Sequence, residues 1–275
     1  MAEENRLTDI RTVRELLSRH GFHFSKAMGQ NFLVNPTVCP RMAEACGASP
    51  ETGVLEIGPG IGVLTRELAA RAGRVVAVEL DERLLPVLRE TLAGRENIEV
   101  VQGDILKLPL DRLLEEKFTR PDGTRMPVAV CANLPYYITS PIIMLLLESR
   151  LPFTSLTVMV QKEAADRLCA APGTRECGAV SLAVQYYARA EKLFGVSRGS
   201  FMPAPNVDSA VIRLTVHALG LICDIDAGAV GGDLFGIADR GEGVSQNAAA
   251  AGRPAGLCGR GHGGGGGMVA DTAGV

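Results

Sequence analysis

The sequence predicts an α/β protein in which a largely parallel β-sheet is covered by helices, and three observations carry that expectation. Short apolar runs rich in β-branched residues alternate with segments that are apolar at helical spacing. The runs are apolar at nearly every position, as strands buried on both faces are. Glycine, proline or asparagine bounds most of them, and one run passes directly into a glycine-rich turn, Glu56-Ile57-Gly58-Pro59-Gly60-Ile61-Gly62.

The elements follow in order. Residues 7–24 and 36–46 read as helices preceding the sheet, the second with Asn35 as N-cap and Pro36 in its first turn. Strands are expected at 54–57 (VLEI), 74–80 (RVVAVEL), 98–102 (IEVVQ), 128–132 (VAVCA) and 156–161 (LTVMVQ). Helices are expected between them at 64–72, 82–92 and 140–148. Composition then breaks near His217. Of 32 glycines, 17 fall in the last 58 residues, and all five lysines precede the break. The expected organisation is a catalytic domain over 1–217, with a helical lead-in to about 50. A degenerate, glycine-rich segment over 218–275 has too little patterned apolar surface to offset its ordering entropy.

At 275 residues the chain is long enough for one large domain. No apolar run approaches the ~18 residues of a membrane span, and the opening MAEENRL has no apolar signal region, so a soluble, cytoplasmic chain is expected. Seven cysteines without a C-x-x-C pair argue against a disulfide framework and a zinc site, and the four histidines lack metal spacing. The formal net charge of −3 carries no global nucleic-acid signature. A monomer without membrane or metal is the expectation.

Local chemistry is more informative. From Gly58 the turn reads G-x-G-x-G, whereas a dinucleotide site wants a glycine or alanine at the sixth position, here Val63. That spacing suits S-adenosylmethionine (SAM), which has no pyrophosphate to cradle. Glu79 ends the next strand, 21 residues after Gly58, where a carboxylate can accept both ribose hydroxyls. The alternative is that Glu79 or Asp81 caps the following helix. Asp104 follows the third strand and is placed for an adenine amine, or for the N-cap of a helix starting at Ile105.

Asn133-Leu134-Pro135-Tyr136 follows the fourth strand. An exocyclic base amine is a poor nucleophile because its lone pair is delocalised into the ring. Hydrogen bonds from that amine to the Asn133 side-chain oxygen and the Pro135 carbonyl would favour a pyramidal nitrogen and aim its lone pair at a methyl donor. Tyr136 would stack on a flipped base, a contact worth roughly 1–3 kcal/mol. Phe201, in Ser200-Phe201-Met202-Pro203-Ala204-Pro205, would cover the base's other face, or else be a core residue.

At these motifs the chain resembles the KsgA (RsmA) family of ribosomal RNA adenine dimethyltransferases. The likeness runs from about Lys26 to Val216. It includes KAMGQNFLVN (26–35), VLEIGPGIGVLT (54–65), NLPYYITSPI (133–142) and FMPAPNVDSAVIRL (201–214). The resemblance implies a class I, Rossmann-like seven-stranded methyltransferase fold with a reversed last strand at 210–216. It implies transfer of four methyl groups from SAM to N6 of two adjacent adenosines in the 3′-terminal hairpin of small-subunit rRNA. The partner is then the immature small ribosomal subunit. By the same resemblance Asn31 and Leu33 close over the cofactor, Gln30 borders it, and Gly58 and Gly60 lie beneath it. Glu79 takes the ribose, Asp104 the adenine, and Asn133 lies where donor and acceptor meet. Arg11, Arg14, Arg19 and Lys26 are candidates for phosphate contacts, or else sit on solvated helix faces balanced by Glu15 and Asp9.

Two departures stand out. Cys177 replaces an aromatic residue of the family pattern, and the tail lacks the lysines of the family's helical rRNA-binding domain, as a frame shift near residue 220 would produce. Rival readings are an Erm-type methyltransferase acting on large-subunit rRNA, and an inactive SAM-binding assembly factor.

Overall fold

Every sheet strand expected from the sequence forms, and the central ones are buried on both faces, which accounts for their apolar runs. The computed structural model describes residues 7–23 and 30–217; the expectations for the tail from 218 and for Lys26 lie outside the described residues. The small strand β1 (Phe32–Leu33) precedes a central sheet of β2 (Gly53–Ile57), β3 (Arg74–Glu79), β4 (Ile98–Gln102), β5 (Val128–Asn133), β6 (Phe153–Gln161), β7 (Ala188–Val196) and β9 (Ser209–Val216). Spatial order is β4-β3-β2-β5-β6-β9-β7, with β9 antiparallel to both neighbours. The expected reversed last strand is therefore present. β8 (Phe201–Met202) pairs with β1 in a separate two-stranded sheet.

Side-chain alternation sends neighbouring residues of each strand to opposite faces. Leu55, Val76, Val130 and Val158 face a cluster built with α5 (Leu110–Lys117), α6 (Thr139–Glu148), α7 (Lys162–Leu168) and α8 (Ala179–Tyr187). Val54, Val75, Cys131 and Met159 face the other way, onto α2 (Val38–Ala45) and α3 (Val63–Ala69). A third cluster joins α1 (Ile10–Arg19) to Phe32, Ile61, Leu84 and Val87, the last from α4 (Leu85–Thr91).

Several boundaries differ from the sequence reading. α1 is shorter than 7–24: Asp9 caps it by accepting from the Thr12 N–H at 2.9 Å, and Gly21 at φ 62° follows its end. Asn35 does not cap α2. Its Oδ1 accepts from the Thr37 N–H at 3.0 Å, making a turn just before the helix, with Thr37 at the cap position. β7 has no counterpart in the reading, because its register shifts between Lys192 and Phe194 and it lies at the sheet edge, so no clean alternation survives. Helices α5, α7 and α8, of seven to nine residues, were not anticipated by the sequence reading.

The order of strands dictates where a ligand can bind. From β2 the chain builds outward through β3 to β4, then returns to place β5 on β2's other side. At such a switch point the connections leave β2 and β5 in opposite directions and open a crevice beyond their carboxyl ends. Among the described residues no helix is long and apolar enough to cross a membrane.

Candidate functional site

The crevice is a cleft lined by Gln30, Asn31, Leu33, Gly58, Gly60, Glu79, Asp104, Asn133, Pro135 and Tyr136, among others. Sheet geometry brings these distant residues together: Gly58 follows β2, Glu79 ends β3, Asp104 follows β4 and Asn133 ends β5. Parallel strands place these ends along one edge.

Gly58 has φ 70°, and a Cβ built there would meet nothing within 4 Å. Glycine is needed for the left-handed backbone, and the space above it is open. At Gly60, φ 61°, a Cβ would lie 3.2 Å from the Phe32 ring, so the turn also passes close beneath β1.

Glu79 is buried, its Oε2 accepting from the Gly60 N–H at 3.3 Å and its Oε1 from the Asp81 N–H at 2.8 Å. Burial nevertheless dominates and raises its pKa to about 7. Asp81, not Glu79, caps the 3-10 turn at 82–84, accepting from the Arg83 N–H. The Asp104 Oδ1 accepts from the Leu106 N–H at 3.0 Å and its Oδ2 lies 3.2 Å from Lys107 Nζ, so its carboxylate also shapes the turn after β4.

On the β5 side, the Asn133 Nδ2 donates to the Asn31 carbonyl at 3.4 Å, while its Oδ1 accepts no hydrogen bond among the described residues. The Tyr136 ring is half-buried and anchored by its hydroxyl, 2.7 Å from Ser209 Oγ at the start of β9.

Two expectations require correction. The Pro135 carbonyl was expected to reach into the site, but it accepts from the Ile138 N–H and from Thr139 Oγ1, both at 3.2 Å, and closes the 3-10 turn at Tyr136–Ile138. The preceding carbonyl, of cleft-lining Leu134, accepts none among the described residues. Phe201 does not line the cleft. It is buried at 4% exposure in the cluster containing Leu33, Val38 and Met42, because β8 pairing sets it opposite Leu33. Of the candidate phosphate contacts, Arg19 pairs with Glu90 at 2.6 Å.

The cleft also contains residues the sequence reading did not single out. Leu80 and Ile105, directly after Glu79 and Asp104, both line it, and Leu80 is 46% exposed. An apolar residue just beyond a strand's polar end was the available signal. Tyr137, 57% exposed, lines it too. Glu56 is buried, its Oε2 has no hydrogen-bond partner among the described residues, and burial raises its pKa to about 8. No group of three or more His, Cys, Asp or Glu able to hold a metal ion occurs among the described residues.

A family model described as ribosomal RNA adenine dimethylase matches residues 21–226. The ribosomal RNA small subunit methyltransferase A of Geobacillus thermodenitrificans (strain NG80-2) is 52% identical over 203 residues, covering 74% of this chain and 68% of that protein. Among solved structures, a dimethyladenosine transferase from Plasmodium falciparum is similar with a TM-score of 0.58 and 30% identity, over 68% of this chain and 63% of that one. The 23S rRNA methyltransferase ErmE is similar with a TM-score of 0.56 and 36% identity, over 68% of this chain and 70% of that one.

Proposed function

The chain belongs to the ribosomal RNA adenine dimethylase family, and from that premise we propose that it dimethylates N6 of two adjacent adenosines in the 3′-terminal hairpin of small-subunit rRNA, using SAM. It acts as a monomer on the immature small subunit, in the cytoplasm. The small subunit is preferred over the Erm-type substrate because identity reaches 52% with the small-subunit enzyme of Geobacillus and 36% with ErmE.

The observation that carries the chemistry is Asn133 Oδ1 at the end of β5, which accepts no hydrogen bond among the described residues and lies in the same cleft as the glycine turn. When bound, SAM supplies a methyl group made electrophilic by its sulfonium. The residues present fit that group. The open space over Gly58 admits a ligand against backbone, and Glu79 keeps lone pairs for ribose hydroxyls beyond its two backbone bonds. Leu80 and Ile105 offer apolar contact to an adenine ring, and Asp104 an acceptor for its amine.

Asn133 Oδ1 accepts one hydrogen of the target N6 amine and holds its lone pair out of the ring plane. The second hydrogen goes to the Leu134 carbonyl, since that of Pro135 is engaged by its own turn. Tyr136, held by Ser209, and Tyr137, exposed at the same cleft, supply faces for an extruded base. A carbonyl acceptor tolerates a monomethylated amine, which still has one hydrogen to donate. Phosphate contacts set the register of the RNA, so binding weakens with salt.

The test is methyl transfer from labelled SAM to small subunits lacking the modification, followed by digestion to nucleosides. Dimethyladenosine at the paired hairpin sites is expected, and with this chain it would make a lysine-rich tail dispensable. Absence of transfer by a chain that binds SAM would overturn the proposal in favour of a binding role.

A further inference from the structure

Asp81 is nearly buried, its side chain 4% exposed, although it lies two residues beyond the end of β3 and next to Leu80, which is 46% exposed. Its duty as a cap needs one oxygen: Oδ1 accepts from the Arg83 N–H at 3.1 Å and from Arg83 Nε at 2.8 Å. The other oxygen makes a long-range contact. Oδ2 accepts from Gln30 Nε2 at 2.7 Å, across 51 residues of sequence, and from Arg83 Nη2 at 2.7 Å. The Asp81 N–H meanwhile donates to Glu79.

The residues after Gln30 are held from the opposite side. The Asn31 carbonyl accepts from Asn133 at the end of β5, and Phe32–Leu33 pair with β8. Segment 30–33 therefore bridges the end of β3, on the cofactor side, and the end of β5, on the target side. Asp81 itself does not line the cleft, so its contact with Gln30 serves the segment rather than a ligand directly. Hydrogen bonds from Arg83 and Gln30 hold its carboxyl below the usual range, so it stays ionised at neutral pH.

We propose that Asp81 is a positioning residue that acts through Gln30, latching segment 30–33 across the cleft and thereby setting the affinity for SAM. This rests on the cofactor reading above. A carboxylate accepting from an amide is a charge-assisted bond, and weakening it releases one of the bridge's attachments.

The experiment is calorimetric titration of the full chain with SAM, paired with amide hydrogen exchange of residues 32–34. Asp81→Asn is expected to weaken SAM about tenfold and to speed exchange at those amides. Gln30→Glu, which sets two carboxylates face to face, weakens it at least as much. Combining the two substitutions restores donor and acceptor with roles exchanged, so the combined loss falls about tenfold short of the product of the two single losses and exchange at 32–34 slows again. Arg83→Gln, which removes the ion pair and leaves the latch, changes affinity by less than about twofold. The proposal is overturned if the combined variant shows summed losses, or if Arg83→Gln matches Asp81→Asn. A native chain that fails to bind SAM defeats the cofactor reading alone. The latch then stands or falls on whether Asp81→Asn accelerates exchange at 32–34.

Discussion

A carboxylate that must be ionised to hold a ribose, yet is buried until its pKa reaches about 7, should make cofactor binding depend on pH in the neutral range. On the proposed cofactor reading, Glu79 is in that position. The ionised form offers the better acceptors to two hydroxyls, so below its pKa binding must first expel a proton. With a pKa of about 7, roughly one-eleventh of the population is ionised at pH 6 and ten-elevenths at pH 8, a loss in affinity of about tenfold, or ~1.4 kcal/mol. The assay is calorimetric titration with S-adenosylhomocysteine between pH 6 and 8, in two buffers of different ionisation enthalpy. The buffer dependence counts protons released. Glu79→Gln should bind about tenfold or more weaker at pH 8 and lose Glu79's share of the pH slope, and comparison with the native chain cancels titration of the ligand itself. Glu56→Gln is the second comparison, since Glu56 has a pKa raised to about 8 in the same cleft. Identical pH slopes for the native chain and Glu79→Gln would refute the reasoning. The same shift has a stability consequence of opposite sense. Because the folded-state value lies above the ordinary 4.5, folding favours the protonated acid. Stability is greatest below about pH 4.5 on this account and falls by up to about 3 kcal/mol as pH rises through 7, which denaturant titration with and without Glu79→Gln measures.

Asn133→Ala should lower the rate of methyl transfer by two to three orders of magnitude, on the order of what loss of one preorganised hydrogen-bonding group costs. Its effect on SAM affinity, measured separately by calorimetry, should be smaller. Phe201→Ala should cost about 3–5 kcal/mol of stability in thermal or denaturant unfolding, as a buried aromatic in the core does, whereas a role confined to the base would lower turnover and leave stability intact. Gly58→Ala combines a backbone penalty of about 1–2 kcal/mol with a methyl group set into the cleft, so stability and SAM affinity both fall. Gly47→Ala, also at positive φ with open space around it but away from the cleft, should lose stability only.

How much of this was legible beforehand follows from the range of the interactions involved. Strands β2, β3, β5 and β6 were readable because burial on both faces writes itself into nearly every position, edge strand β4 through its β-branched run, and the glycine turn because a left-handed backbone between strand and helix restricts residue type locally. Glu79, Asp104 and Asn133 could be assembled from sequence alone, since parallel strands set their carboxyl ends along one edge whatever lies between. The rest depended on partners from elsewhere in the chain. β7 was hidden by a bulge and an exposed edge, and Phe201 was taken into the core by pairing with Leu33. The Pro135 carbonyl was claimed by a turn whose hydrogen bonds a proline-containing motif does not announce. Which side-chain atoms of Asn133 and Asp81 are engaged and by what, and how far burial raises Glu79 and Glu56, are properties of assembled surroundings. Local propensity and periodicity therefore determined the strands and the candidate motifs in this sequence. Long-range pairing and desolvation, which act only once the chain is folded, decided which atoms of those motifs face the cleft and in what state of charge.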